Sequence, residues 1–491
     1  MVWVLGAALA AGVTGDPRVV VAAVFVFGWW IRGAGLSRNG VALLVLTAFA
    51  FGFYAHVSIA GVRRDLARVR AAAGRSEKAS LQGWVCSFPA YRYGGMSFDF
   101  TTRVEGSPCV VRVRTKEFVV SYGDSLRLEG IWRLPRTDEA GDERRLIGQG
   151  VCGDFRASAG GMSRLGGTAG GWLTREFLSP CHERVREELG RGLGANSGFP
   201  IAVLLGETGY LDRRLGAAFT NLGITHLIAL SGQHLCFIAG VVMILLRCIR
   251  RRSTAALLVA ISLYVGVVGF IVSLWRAFVM AMVLALAGSL KRSLDPVKAL
   301  GEAFVIVLLF FPHTYYSVGF QLSFLATLAL LLSVRELRPP ASRRRVSRLW
   351  FSIHSSLYVS VAAQLVVTPV LIYYFDRVSV LAPAATLVYV LPVAFVLIYS
   401  GFAAVASALV PVAGPVLFAL LDRAVTLLDR AVVFSAALIP GTISPPAPEP
   451  YLYYGGLGFL AFAQGRRKRK LAGWSIIAAS FAAGVLRRQL F

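Results

Sequence analysis

The chain has 491 residues, of which 56% are hydrophobic and only 16% charged, and its mean hydropathy is +0.64. A soluble protein carries charge on about a quarter of its residues, so an ordinary soluble enzyme or binding module is excluded and a polytopic α-helical membrane protein is predicted. The net charge is 51 − 26 = +25. Much of the Arg and Lys flanks apolar runs, where a positive-inside bias explains it more simply than nucleic-acid binding; the two agree if the cargo is an anionic polymer.

Apolar runs of about 18 residues or more read as transmembrane helices, and the chain holds roughly ten to twelve spans. Met1 to Ala60 reads as three of them, an N-terminal membrane region over 1–62 with turns at Asp16-Pro17 and Arg32 to Asn39. The opening run lacks a basic n-region and a cleavage site, so it is not read as a removable signal peptide. A basic linker, Arg63 to Lys78, follows.

The next segment, 80–157, alternates with period two: Phe98 and Phe100 around Asp99, Val111 and Val113 around Arg112, Leu126 and Leu128 around Arg127. Turn residues at Gly94-Gly95, Gly106-Ser107-Pro108 and Tyr122-Gly123-Asp124 separate the runs, which predicts about five short antiparallel strands and a small OB-like all-β barrel. Tyr91, Tyr93, Phe98 and Trp132 have the chemistry to stack on bases, but core packing is the simpler role for most of them. Gly160 to Gly171 reads as a glycine-rich connector, and 172–195 as an amphipathic helix lying in the membrane interface.

The membrane domain, 198–491, opens with Ile224 to Leu246. Two spans fit Thr254 to Leu290, turning near Ser273 to Arg276, and two more fit Val297 to Val334, turning at Pro312-His313. Ser352 to Phe375, Val378 to Val410, Tyr451 to Ala463 and Leu471 to Leu486 follow; Leu420 to Ile439 is amphipathic and either spans or lies flat. The basic loops Arg247 to Arg252, Lys291-Arg292, Arg335 to Arg348 and Arg466 to Lys470 belong in the cytoplasm, which puts the barrel outside and the N-terminus inside a multi-pass protein.

Cys86, Cys109 and Cys152 lie in the polar segment and can pair in an oxidising compartment; a Cys86–Cys109 disulfide would join two strands predicted to be neighbours. No CxxC, GxxxxGK[ST] or HExxH occurs, so no metal, cofactor or P-loop nucleotide is expected. The polar residues of interest lie within the spans. His226, Ser231, Gln233 and His234, with Gly232 among them, fall within about 160° of one face if the segment is helical throughout. Ionisable groups in hydrocarbon are expensive, so this group is predicted to face a water-filled cavity. Arg276, Gln321 and Gln364 are further candidates, although a neutral Gln commonly just joins helix to helix. Ser231-Gly232 also echoes the GxSG nucleophile of intramembrane serine proteases, but Ala229 replaces the first Gly and no distant His stands ready.

Thr225-His-Leu-Ile-Ala-Leu-Ser-Gly-Gln-His-Leu235 resembles the HLLAISGLH signature of the ComEC-type competence channel family. In order along the chain, Gly206-Glu-Thr-Gly-Tyr-Leu, Arg276-Ala277-Phe278-Val-Met280 with Asp295-Pro296, Ser317-Val-Gly-Phe-Gln-Leu-Ser-Phe324, and Ala363-Gln364 with Thr368-Pro369 resemble further blocks of it. Gln233 stands where the signature often has Leu, and Phe311 where Asp is expected before Pro312.

The resemblance implies a channel, not an enzyme, that conducts single-stranded DNA across the inner membrane during natural transformation. It implies an external DNA-delivery protein, a cytoplasmic helicase or motor, and single-strand-binding proteins as partners, beside membrane lipid. Members often carry a metallo-β-lactamase-like domain; no HxHxDH occurs in these 491 residues, so a separate nuclease is expected to degrade the other strand. His226, Ser231, Gly232, Gln233, His234, Arg276, Gln321 and Gln364 would line or gate the path, and Arg343, Arg344, Arg345 and Arg348 would meet phosphates at the inner mouth. The alternatives are a transporter of a small anionic solute and an intramembrane serine protease.

Overall fold

The computed structural model describes residues 60–73, 78–92, 95–116, 120–133, 146–169, 171–248, 253–289, 295–337, 345–438, 441–445 and 453. The N-terminal spans, the C-terminal run Leu471 to Leu486, the loops Lys291-Arg292 and Arg466 to Lys470, and Tyr93, Arg343 and Arg344 lie outside the described residues.

Helix α1 (residues 60–73) leads into β1 (Lys78–Val85), β2 (Ala90–Arg92), β3 (Gly95–Val104), β4 (Ser107–Thr115), β5 (Asp124–Arg133) and β6 (Asp154–Thr168). Helices α2 (Ser179–Leu193), α3 (Gly198–Leu205), α4 (Arg213–Asn221), α5 (Gly232–Cys248), α6 (Thr254–Val268) and α7 (Val272–Ser289) follow. Then come α8 (Pro296–Phe310), α9 (Val318–Glu336), α10 (Arg345–Phe375), β7 (Val378–Ser379), α11 (Ala382–Leu409), α12 (Gly414–Leu438) and β8 (Thr442–Ile443). Among the described residues, four helical segments are long and apolar enough to cross a membrane: Thr225–Cys248, which a short break interrupts, Trp350–Phe375, Ala382–Leu409 and Pro411–Leu438. The segment near Leu420, expected either to span or to lie flat, belongs to one of these helices, which is long and apolar enough to span.

The chain divides into two compact units. One holds residues 60–293 and 388–440, the other 294–387 and 441–491 together with 1–59.

In the first unit the strands run β1-β5-β6-β4-β3, and β1 pairs again with β3, closing a barrel. β4 and β6 are parallel and the other ladders antiparallel, the topology of an OB-like fold. Alternation drives it. Cys109, Val111, Val113 and Thr115 of β4 point inward while Arg112 and Arg114 point out. Phe98, Phe100, Leu126, Leu128 and Phe155 fill the centre with Val69 of α1, each large side chain contributing about 1.5–3 kcal/mol by burial. Glu105 and Gly106, both with positive φ (50° and 80°), make the two-residue turn between β3 and β4 that right-twisted strands favour. The barrel extends past the expected end at 157: the glycine-rich connector is the second half of β6, paired with β5 and interrupted by bulges.

Phe98 belongs to the core and offers no stacking face, and the half-buried Trp132 packs edge-to-face with Phe155. Arg112 grips Asp99 through two oxygens (2.8 and 3.3 Å), Arg114 meets Asp154 (3.3 Å) and Arg164 meets Asp124 (3.2 Å). These outward arginines are committed to carboxylates.

The Cys86–Cys109 pairing is corrected. The described cysteines are free thiols. Cys86 follows β1 and bonds opposite Asp99, whereas Cys109 sits on β4 opposite Thr102, so β3 separates them. Two strand spacings are about 10 Å, beyond the roughly 7 Å a disulfide spans between Cα atoms. Cys109 instead hydrogen-bonds Cys152.

The interfacial helix is also revised. A π-helical turn, Thr174–Leu178, precedes α2, and apolar side chains face outward only here and just before it, with Trp172, Leu173 and Phe177 exposed. α2 itself packs inward through Leu189 and Leu193, and a β-carbon on Gly192 would run into the Phe418 ring of α12. Within the bundle, α3 is buried at all eight positions, as expected of a helix apolar on every side.

In the second unit α9 and α10 pack side by side, and the Pro312 turn is a short 3-10 helix between α8 and α9, as the sequence predicts. β7 and β8 form a two-stranded ribbon.

Candidate functional site

The signature segment does not form one helix. Thr225–Leu227 is a 3-10 turn, the chain is irregular through Ser231, and α5 starts at Gly232. The single polar helix face expected from His226 to His234 is therefore corrected: His226 is exposed and His234 buried, on either side of the break. Irregular backbone at membrane depth is tolerated only where protein or a cavity covers it. Here Ser273 of α7 donates its hydroxyl to the Leu230 carbonyl (2.6 Å), replacing a helical bond the break has lost.

The break fixes His234. The Ser231 backbone N–H donates to His234 Nδ1 (3.3 Å), and the Ser231 hydroxyl lies 3.0 Å from the same nitrogen. Nδ1 is therefore an acceptor, and in the neutral ring the hydrogen is on Nε2. That Nε2 is buried and makes no hydrogen bond of good geometry, with the Leu227 backbone beside the ring. His234 lines a small cavity with Leu227, Gln233, Phe237 and, from α11, Val390, Val393, Ala394 and Leu397. Pro392, inside α11 beside these residues, removes one helical hydrogen bond and weakens the helix there.

Arg276 lies a turn inside α7 rather than at its start, because the α6–α7 turn falls earlier, at Gly269 to Ile271. It is 5% exposed, and its guanidinium presses on Gly232: a β-carbon there would stand 2.7 Å from Nη2. His234, Gln233, Ser231, Gly232 and Arg276 thus gather around one helix start. The Ser–His pair lies within one helical turn, and no carboxylate meets the far ring nitrogen.

The remaining candidates belong to the other unit. Gln321, fully buried on α9, donates to the Tyr315 carbonyl (3.1 Å) and the Tyr374 hydroxyl (3.4 Å), tying the 3-10 turn to α10. The Gln364 carbonyl accepts the Thr368 hydroxyl (2.7 Å) one turn before Pro369. Arg345 opens α10 and Arg348 is exposed on its first turn.

Two residues went unrecognised in the sequence as a pair: His182 of α2 and Glu207 after α3 form a buried contact of 2.6 Å. The only signal was Glu207 within the Gly206-Glu207 block.

The architecture is that of a mostly helical protein with membrane-length helices, one of them broken at a polar cluster, and a small OB-like barrel. Residues 203–467 match the family described as competence protein. ComE operon protein 3 of Bacillus subtilis (strain 168) is 29% identical over 268 residues, covering 53% of this chain and 33% of that protein, so the match spans about a third of the relative's length. No solved structure matches. The chain belongs to the competence protein family, the ComEC/Rec2 family.

Proposed function

We propose that this chain conducts single-stranded DNA across the bacterial inner membrane in natural transformation, with the broken segment 225–234 as its gate. His234 carries the reading. Its Nε2–H is a buried donor without a partner, on the wall of a cavity closed by the Pro392-weakened stretch of α11. A buried unmet donor is unfavourable by about 1–3 kcal/mol, and a phosphate or base oxygen entering the cavity would relieve it. Arg276 beside Gly232 adds a positive charge at the same helix start, suited to an anionic backbone.

In this reading the barrel is extracytoplasmic and Arg345 and Arg348 lie at the inner mouth. The barrel's paired arginines fit a structural or docking role better than a basic groove. An external delivery protein and a separate nuclease supply the strand; a cytoplasmic motor and single-strand-binding proteins draw it in.

The test is uptake of labelled DNA into the cytoplasm of a naturally competent host. A strain lacking this protein should bind DNA outside yet import none, and His234→Ala should reproduce the defect at normal membrane abundance. Normal transformation in the deletion strain would overturn the assignment and favour a small-anion transporter.

A further inference from the structure

His182 and Glu207 are each 4% exposed, and His182 Nε2 stands 2.6 Å from Glu207 Oε1. On its other side His182 Nδ1 donates to the Val267 carbonyl at the end of α6 (2.8 Å). A carbonyl only accepts, so Nδ1 keeps its hydrogen and one proton lies between Nε2 and Oε1. Arg186 Nη1 is 3.7 Å from the same carboxylate oxygen, and Glu207 Oε2 is buried without a hydrogen-bond partner. Replacing such a pair with apolar residues is often neutral or stabilising, so its presence points to fixing one arrangement rather than to stability.

The pair joins two things. On one side is the barrel. Phe88, in the β1–β2 connection, lies against the His182 ring (centroids 5.0 Å apart, 33° between planes). A β-carbon on Gly269, which ends α6 at φ 91°, would come 2.9 Å from the Phe88 ring. One residue along α2, Glu183 accepts the Ser121 hydroxyl of a second barrel loop (3.1 Å).

On the other side is the gate. Glu207 follows Gly206, whose φ of 81° is left-handed and whose absent β-carbon would stand 2.8 Å from both Leu230 and Ile271. Leu230 is the residue whose carbonyl Ser273 holds, and it precedes Ser231, which fixes His234. The contacts therefore run from Phe88 through His182 and Glu207 to Gly206, Leu230 and Ser231.

We propose that His182 and Glu207 are positioning residues that couple the barrel to the gate: they hold the Gly206 turn beneath Leu230, and Phe88 transmits the position of the barrel to them. The inference rests on reading 225–234 as a gate. It differs from a general packing role because it requires an event at the barrel to be felt at His234.

The test uses the full chain in membranes, with Gln233→Cys as a reporter on the cavity wall and the chain without it as the labelling background. The rate of maleimide labelling is followed with and without a single-stranded oligonucleotide. In the parent the oligonucleotide should change the rate at least threefold. Phe88→Ala and Glu207→Leu should each abolish that response while basal labelling and membrane abundance hold, and Glu207→Gln, whose amide N–H can donate to Nε2, should restore part of it. If Glu207→Leu fails to accumulate, Phe88→Ala decides alone, since it leaves the buried pair in place. A response that persists in Phe88→Ala, or none in the parent, overturns the coupling. Uptake separates the two readings: if His234→Ala still blocks import, the gate stands even where the coupling fails.

Discussion

Tyr453 donates its hydroxyl to the carbonyl of Leu365 (2.8 Å), the carbonyl four residues before Pro369 in α10. Proline has no N–H, so that carbonyl has lost its helical partner, and a tyrosine from far along the chain replaces it. Tyr453→Phe should therefore destabilise the protein by about 1–3 kcal/mol, seen as a lower apparent unfolding midpoint in detergent. Pro369→Ala returns a backbone donor to Leu365. In that background the penalty of Tyr453→Phe should shrink, and additive losses would show that the hydroxyl does not repair the kink.

The barrel makes a second prediction. A β-carbon on Gly130 of β5 would meet the Arg156 carbonyl of β6, and one on Gly83 of β1 would meet the Thr101 carbonyl of β3. Both obstacles are backbone, which cannot swing aside. Gly130→Ala and Gly83→Ala should each reduce stability by about 1–3 kcal/mol or more, read as protease sensitivity of residues 78–168. Gly106 has nothing within 4 Å, but its φ of 80° makes Gly106→Ala a milder, purely conformational loss.

What could be read in the sequence was what repeats locally. Alternation through Val111–Val113 and Leu126–Leu128 specified inward strands, and apolar runs specified long helices, because burial imposes those periods directly. The signature motif was visible as residue types but not as geometry. A helix-like run of apolar residues conceals the break after Leu227, which depends on Ser273, 43 residues away, bonding Leu230. Strand order was equally hidden. Cys86 and Cys109 are near in sequence, but β1 and β4 flank β3 without touching each other, a consequence of barrel closure. The pairing of His182 with Glu207 and the Val267 carbonyl was likewise hidden, because it joins residues 25 and 85 positions apart.

The thiol pair follows from that closure. Cys152 donates to the Cys109 sulfur; this bond, with burial, pushes the Cys152 thiol up, while the same bond brings Cys109 down. Cys109 is thus the thiol that ionises first. Diamide should oxidise the pair to a Cys109–Cys152 disulfide, detected by mass spectrometry of peptides, and Cys86→Ser should not change the yield. The bond would tether the strands around β4 and β6 and raise stability by about 2–4 kcal/mol. A Cys86–Cys109 peptide as the main product would contradict the strand order.

Two glycines of α5 separate packing at the proposed gate from the general preference for alanine in helices. At Gly232 an added β-carbon would stand 2.7 Å from Arg276 Nη2 and 3.1 Å from the Ala277 β-carbon; at Gly240 there is nothing within 4 Å. Alanine is favoured over glycine in a helix by about 0.5–1 kcal/mol, so Gly240→Ala should keep stability and DNA uptake at parent levels or better. Gly232→Ala gains the same preference but must displace the buried guanidinium or overpack α7, a cost of about 1–3 kcal/mol. It should import DNA at least several-fold more slowly at equal membrane abundance, measured with labelled DNA in the same competent strain. Equal uptake by the two variants would show that the contact between Gly232 and Arg276 does not set the gate.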